Sequence, residues 1–316
     1  MPGTFGYADP LFLLIAALAL EAYLGRGNWL GSLSRGPRRW VARLARTLEQ
    51  RLNRPERGAA ERRRRGWIVA IALVLLGGLA GWLLALFTRF YPFAWPLELL
   101  LLLLVVRQRS TWGQGIAVVA ALEHDKLPAA RVALARLTAG DLDPFLAEQL
   151  PPAAGAALAV RAVARRLNDG LVGPVFWYVM LGPGGLLVQQ MSLLLARLYG
   201  GVALHDREQE APAGIFGQGA IRLYRFLAWA PAQVSALLLL GASRFPGEPA
   251  QGEAAGKTCW AGVGRRWWPE QLLASLAGSL ARPASALRLA LDLFRKAALI
   301  QAALLVLLLL ARLILS

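Results

Sequence analysis

The chain has 316 residues, 57% of them hydrophobic and 17% charged, with a formal net charge of +16 that comes almost wholly from arginine. A soluble domain usually holds about 45–50% apolar and about 25% charged residues, so this composition excludes an ordinary soluble enzyme and predicts an integral membrane protein. Cys259 is the single cysteine, which excludes an intrachain disulfide and a multi-cysteine metal site, and the two histidines, His124 and His205, fall in different polar segments, against a zinc site.

Residues 1–25 contain the first apolar run, Leu11 to Leu24, which approaches the roughly 20 residues needed to span a bilayer when counted back to Tyr7. No basic residue precedes it, so it reads as a retained transmembrane helix rather than a signal peptide. Glu21 lies inside it, and an intramembrane carboxylate is a functional candidate by default. Residues 26–66 carry thirteen arginines against Glu49, Glu56 and Glu61. Trp40, Val41, Leu44, Leu48 and Leu52 recur there at helical spacing, which predicts a basic amphipathic helix on the cytoplasmic membrane surface. Arg62 to Arg65 stand just before the next apolar run, as the positive-inside rule expects.

Residues 67–106 read as a two-helix transmembrane hairpin. Trp67 to Thr88 is the first arm, with Gly77, Gly78 and Gly81 available for close helix packing. Phe90 to Phe93 form an aromatic turn, and Trp95 to Val106 return; Glu98 sits within the second arm and carries no assigned role. Residues 107–166 are predicted to be a small cytoplasmic helical region. It holds short helices over 116–122 and 131–137, a loop over Gly140 to Pro144 with Asp143 as an N-cap, and an alanine-rich helix over 153–166.

Residues 167–242 form a broken-helix membrane core. A polar turn, Asn168-Asp169-Gly170, leads into an apolar segment that is interrupted at Gly182-Pro183-Gly184-Gly185 and resumes to Tyr199. As one helix this segment spans a bilayer; as two half-helices it enters and leaves on one side. Gly182-x-Gly184-Gly185 has no following Lys-Ser/Thr, so helix breaking is favoured over phosphate binding. Phe216 to Arg225 is amphipathic, and Phe226 to Ala242 is apolar around Pro231. Residues 243–296 read as a cytoplasmic loop and helix, the helix starting near Trp267-Trp268-Pro269-Glu270. Residues 297–316 are the C-terminal transmembrane helix. The fold class is therefore all-α: a polytopic helical membrane protein with about five or six transmembrane helices, the Gly-Pro break leaving span and re-entrant pair as alternatives. No nucleotide loop, hydrolase triad or nucleic-acid motif is present, and no nucleic-acid partner is expected.

Four separated segments resemble the CobD/CbiB family of membrane proteins, the adenosylcobinamide-phosphate synthases of late cobalamin biosynthesis. Pro37, Arg39, Trp40, Glu49, Arg51, Leu52, Asn53 and Arg54 follow an early family loop in order. Leu127, Ala130, Arg131 and Leu134 fit a family helix, with Asp141 at the aspartate of the Arg-Asp-Thr that follows. Leu167, Asp169, Gly170, Val172, Pro174, Phe176 and Trp177 match a family segment whose Glu-Asn pair is here Arg165 and Arg166. Trp268, Pro269 and Glu270 match a C-terminal Trp-Pro-Glu. Family polar positions fall on Leu193, Ala196, Tyr224 and Arg225, so glycines, prolines and tryptophans match where most acids and amides do not.

The resemblance implies a bacterial inner-membrane, multi-pass protein. The family joins cobyric acid to an aminoalcohol or its phosphate by an ATP-linked amide-forming step, which implies Mg²⁺ and ATP if that activity is retained. It nominates Asp141, Asp169 and Glu270 as catalytic carboxylates, with Glu21 and Glu49 as further acids, and no resident metal site. Arg39, Arg54, Arg165 and Arg166 are nominated to bind phosphate or another acidic ligand. The loss of polar motifs is also similar to the family's AmpE-type relative. That likeness favours altered or lost synthase chemistry and a regulatory or ligand-binding role, with an active synthase as the alternative. The implied partners are the lipid bilayer and a corrinoid or another membrane or cytoplasmic protein.

Overall fold

The computed structural model describes residues 9–24, 28–54, 56, 58–138, 151–200, 214–244 and 283–315. These residues form ten α-helices and no strand: α1 Pro10–Leu24, α2 Asn28–Leu52, α3 Ala59–Phe90, α4 Trp95–Val105, α5 Arg109–Glu123, α6 Leu127–Leu137, α7 Pro152–Leu167, α8 Gly173–Gly200, α9 Gln218–Arg244 and α10 Pro283–Leu315. The expected loop at Asp141 and Asp143 and the expected helix start at Trp267 to Glu270 lie outside the described residues.

Several elements run further than the apolar runs alone suggest. α3 begins eight residues before Trp67, because its arginine-rich first turns are good helix formers and contain no proline or glycine stop before Gly66. α5 and α6 are longer than the short helices over 116–122 and 131–137. The amphipathic and apolar stretches on either side of Phe226 form one helix, α9, with Pro231 inside it. α10 starts at Pro283, which suits a first turn, and carries Arg295 and Lys296 within its body rather than at its start. Four helical stretches are long and apolar enough to cross a membrane by length and composition: Ala59–Phe90, Ala153–Tyr199, Gln218–Arg244 and Ala284–Leu315; Pro10–Tyr23 is a shorter apolar helix.

The chain divides into two compact units. The first comprises Met1–Val106 and Gly173–Trp229, the second Arg107–Val172 and Ala230–Ser316. In the first unit, α3 packs along α8. Glycines allow the approach: a Cβ at Gly81 would overlap the carbonyl oxygen of Pro183 and come within 2.7 Å of Gly184 Cα, and one at Gly78 would lie 2.8 Å from a Val188 methyl. α2 lies against α3 and α8, its Leu44, Leu48 and Leu52 packed on a core of Ala45, Val69, Ala70, Leu73, Val74, Leu195, Tyr199, Phe216 and Ala220. The Tyr199 hydroxyl donates to the Ala45 carbonyl at 2.8 Å, which sets the rotation of α2 on this core. The outer face of α3 presents Leu75, Leu79, Trp82 and Leu83, all largely exposed, as a lipid-facing surface would require.

α8 is two helical segments joined at Gly182, whose φ of 64° and ψ of −153° fall in a region essentially restricted to glycine. The Trp177 carbonyl oxygen comes within 2.6 Å of a Cβ built on Gly185. Residues eight apart in a straight helix are separated by about 12 Å along the axis, so the segment bends sharply here. Pro183 adds to the break by lacking an amide proton.

In the second unit, α5 and α6 form a helical hairpin that packs with α7 and α10. Gly115 of α5 lies against Leu291 of α10, where even a methyl group would collide. Arg288 pairs with Glu123 at 2.6 Å, and the Arg295 guanidinium lies 6.0 Å from the Trp112 ring centroid.

Candidate functional site

The second unit contains the main candidate site. α7 does not stop at a polar turn. It continues through one turn of π-helix, Asn168–Val172, in which all five residues are buried. Single π turns often accompany functional sites because they displace side chains from the helical register. Gly170 is the close-approach position: its carbonyl accepts the Arg107 amide at 3.0 Å, and its missing Cβ would sit 3.5 Å from Arg107 Cβ. The Arg107 carbonyl in turn accepts the Thr111 hydroxyl at 2.8 Å, which ties the start of α5 to the same point.

The turn organises a buried polar chain. Ser235 Oγ donates to Asn168 Oδ1 at 3.2 Å, and Asn168 Nδ2 donates to Asp169 Oδ1 at 3.2 Å. Asn168, Asp169 and Ser235 are each less than 5% exposed. Buried polar groups carry a desolvation cost that hydrogen bonds offset, so such a chain is held in one arrangement. Asp169, expected as a candidate carboxylate, is therefore a buried, oriented side chain.

The two arginines that precede the turn behave as positioned groups. Arg166 Nη1 donates to Gln114 Oε1 at 2.7 Å, and its Nη2 donates to the Arg136 carbonyl at 2.8 Å. One guanidinium thus braces α5, α6 and α7 together. Arg165 is half-buried beside it in sequence. Arg39 and Arg54, nominated for the same ligand chemistry, belong to the first unit and are exposed on α2 and just beyond its end.

Asp141 and Glu270 lie outside the described residues, so the structure does not address whether they join Asp169. Among the described residues no three His, Cys, Asp or Glu side chains gather around a point that could hold a metal ion. Mg²⁺ takes about six oxygen ligands, and one carboxylate with two guanidinium groups three and four residues before it does not fit that need.

The first unit holds two acidic positions of a different kind. Glu21 is buried within α1. Glu49 of α2 is half-buried, and burial raises its carboxyl above the usual value near 4.5 while Arg46 opposes the rise. The unit also contains a network that carries no signal at the level of motif. Glu98, 2% exposed, accepts the Tyr178 hydroxyl on Oε1 at 2.5 Å and the Thr88 hydroxyl on Oε2 at 3.2 Å. Trp177 Nε1 donates to the Leu227 carbonyl at 3.1 Å, which explains a tryptophan at that position as an anchor between α8 and α9.

Asn168 and Ser235 were the residues missed in the second-unit site. Ser235 was legible only as the single hydroxyl in a run of apolar residues from Val234 to Leu240. Glu98 was visible as an acid in an apolar run, but its partners lie 10 and 80 residues away.

A family model described as "CobD/Cbib protein" matches residues 14–311. The "Cobalamin biosynthesis protein CobD" of Rhizobium meliloti (strain 1021) is 29% identical over 284 residues, covering 86% of this chain and 81% of the relative. The protein of the same description from Stutzerimonas stutzeri (strain A1501) is 30% identical over 238 residues, covering 73% of this chain and 70% of the relative. That from Rhodobacter capsulatus is 28% identical over 234 residues, covering 73% and 69%. No solved structure matches the chain.

Proposed function

This chain belongs to the CobD/CbiB family of cobalamin-biosynthesis proteins, and from that membership we propose that it handles a corrinoid at the bacterial inner membrane with the family's amide-forming chemistry altered or lost. Its remaining role is regulatory or ligand-binding, as in the AmpE-type relative. The observation that carries this reading is the engagement of Arg166 by Gln114 Oε1 and the Arg136 carbonyl. At a position where the family keeps part of a Glu-Asn pair, this chain uses a cation to brace three helices. Arg165 and Arg166 together reverse the local charge, which disfavours Mg²⁺ and favours an acidic group such as a carboxylate or phosphate.

The test is binding without catalysis. Purified full-length chain is titrated with cobyric acid in the absence of nucleotide, and its thermal unfolding midpoint is followed. A ligand that binds the folded state raises the midpoint with its concentration. The expected result is a saturable rise that Arg165→Gln diminishes; a midpoint unmoved by cobyric acid contradicts the reading.

One observation favours a second reading, an active adenosylcobinamide-phosphate synthase. The Ser235–Asn168–Asp169 chain holds a buried carboxylate in a fixed orientation at a family position. In that case Mg²⁺ and ATP would be required, and Asp141 and Glu270 would supply further oxygens.

A further inference from the structure

We propose that the outward face of α2 is a docking surface for the headgroups of acidic phospholipids. The packed face of α2 is accounted for: Leu44, Ala45, Leu48 and Leu52 meet the core of the first unit, and the Tyr199–Ala45 hydrogen bond fixes the rotation. At about 100° per residue, Arg39, Arg43 and Arg46 then fall on one line on the opposite side, with Gln50 continuing it. All four are exposed, and Trp40, 63% exposed, borders the row.

The row repels itself. Arg39 and Arg43 are four residues apart and Arg43 and Arg46 three apart, spacings at which like charges destabilise a helix. Arg39 and Arg43 pair with no carboxylate among the described residues. Glu49 faces Arg46 from the flank and offsets only that end. An anionic partner along the row removes the repulsion, and guanidinium groups bind phosphate oxygens in bidentate fashion.

The position of the helix names the source of the phosphate. Arg62 Nε donates to Asn53 Oδ1 at 2.7 Å, which ties the end of α2 to the first turns of α3. Those turns carry Arg62 to Arg65 immediately before the long apolar stretch of the span. Basic residues at the end of a span sit at headgroup level, where acidic lipids attract arginine and an exposed tryptophan suits the interface. α2 is thus held where phospholipid phosphates are. Its own apolar face is already used inside the protein, so it reads headgroups by charge and does not insert.

Native mass spectrometry of the full-length chain in detergent tests this. Equal amounts of phosphatidylglycerol and phosphatidylcholine with matched acyl chains are added, and the ratio of the two adducts is measured. A selectivity for phosphatidylglycerol is expected, falling roughly fivefold in Arg43→Gln/Arg46→Gln. Arg43→Lys/Arg46→Lys keeps most of it, which separates loss of charge from loss of folding. Lys126→Gln/Arg131→Gln removes the same charge elsewhere and leaves the ratio unchanged. An unchanged ratio in the Arg43/Arg46 glutamine variant overturns the proposal, as does an equal fall in both glutamine variants. Displacement of phosphatidylglycerol by millimolar inorganic phosphate also overturns it, in favour of a soluble anion.

Discussion

The Tyr178 hydroxyl donates to Glu98 Oε1 at 2.5 Å, joining residues 80 positions apart inside an apolar helix pair of the first unit. With Thr88 on the other oxygen, both acceptor atoms of the carboxylate are engaged away from water. Tyr178→Phe removes one of these partners and leaves a buried oxygen short of a donor. A loss of about 1–3 kcal/mol is expected, read as a lower thermal midpoint in detergent. Thr88→Val, at the longer contact, costs less. A Tyr178→Phe chain as stable as the parent would mean the hydroxyl has no role in holding α8 to α4.

A methyl group is expected to have opposite effects at two glycines, one inside the contact between α3 and α8 and one in open space on α5. Gly81→Ala places a methyl against Pro183 and Gly184, where the backbone must move. Overpacking of this kind costs about 1–3 kcal/mol. Gly113 of α5 has nothing within 4 Å of a built Cβ and lies inside a helix, so Gly113→Ala stabilises by about 0.4–1 kcal/mol. Thermal scans of the two single variants check the sign of each. Similar shifts in both would contradict the close approach at Gly81.

Glu49 predicts a pH dependence. Its carboxyl is raised in the folded chain, chiefly by burial, so folding favours the protonated form. Its contribution to stability is full below the usual carboxylate value and is lost as pH rises through the raised one. Glu49→Gln is therefore expected to raise the thermal midpoint at pH 7 relative to the parent and to narrow that difference at pH 4. A midpoint for Glu49→Gln below that of the parent at pH 7, with the deficit shrinking on acidification, would show Glu49 to be held as a stabilising anion.

Arg166 and Gln114 should be coupled. Arg166→Gln, Gln114→Ala and the double variant form a cycle whose interaction term reports the 2.7 Å hydrogen bond. A coupling of about 1 kcal/mol is expected in unfolding experiments. Additive effects would mean that Arg166 is not a brace of α5 and α7, and would free it for the ligand.

The helical membrane architecture was legible because long apolar runs need little context. Trp67 to Thr88 and Ala297 to Leu315 declare a bilayer by length and composition alone. Helix ends were less legible. The arginines before Trp67 and the Arg295-Lys296 pair look like boundaries by charge, yet arginine and lysine are good helix formers and the helices run through them. Asp169 stood out by its motif, whereas Asn168 and Ser235 gain meaning only when residues 67 positions apart meet. The two-unit division was illegible for the same reason, since each unit is built from separated stretches of chain.

Altered chemistry on an inherited CobD/CbiB fold is tested most directly in a bacterial strain that lacks its own synthase. The full-length chain and its Asp169→Ala variant are expressed in that strain, and growth is measured under cobalamin limitation. The account predicts that neither restores growth, although both accumulate in the membrane. Restoration by the parent chain that Asp169→Ala abolishes would contradict it and establish an active synthase built around the Asp169 turn.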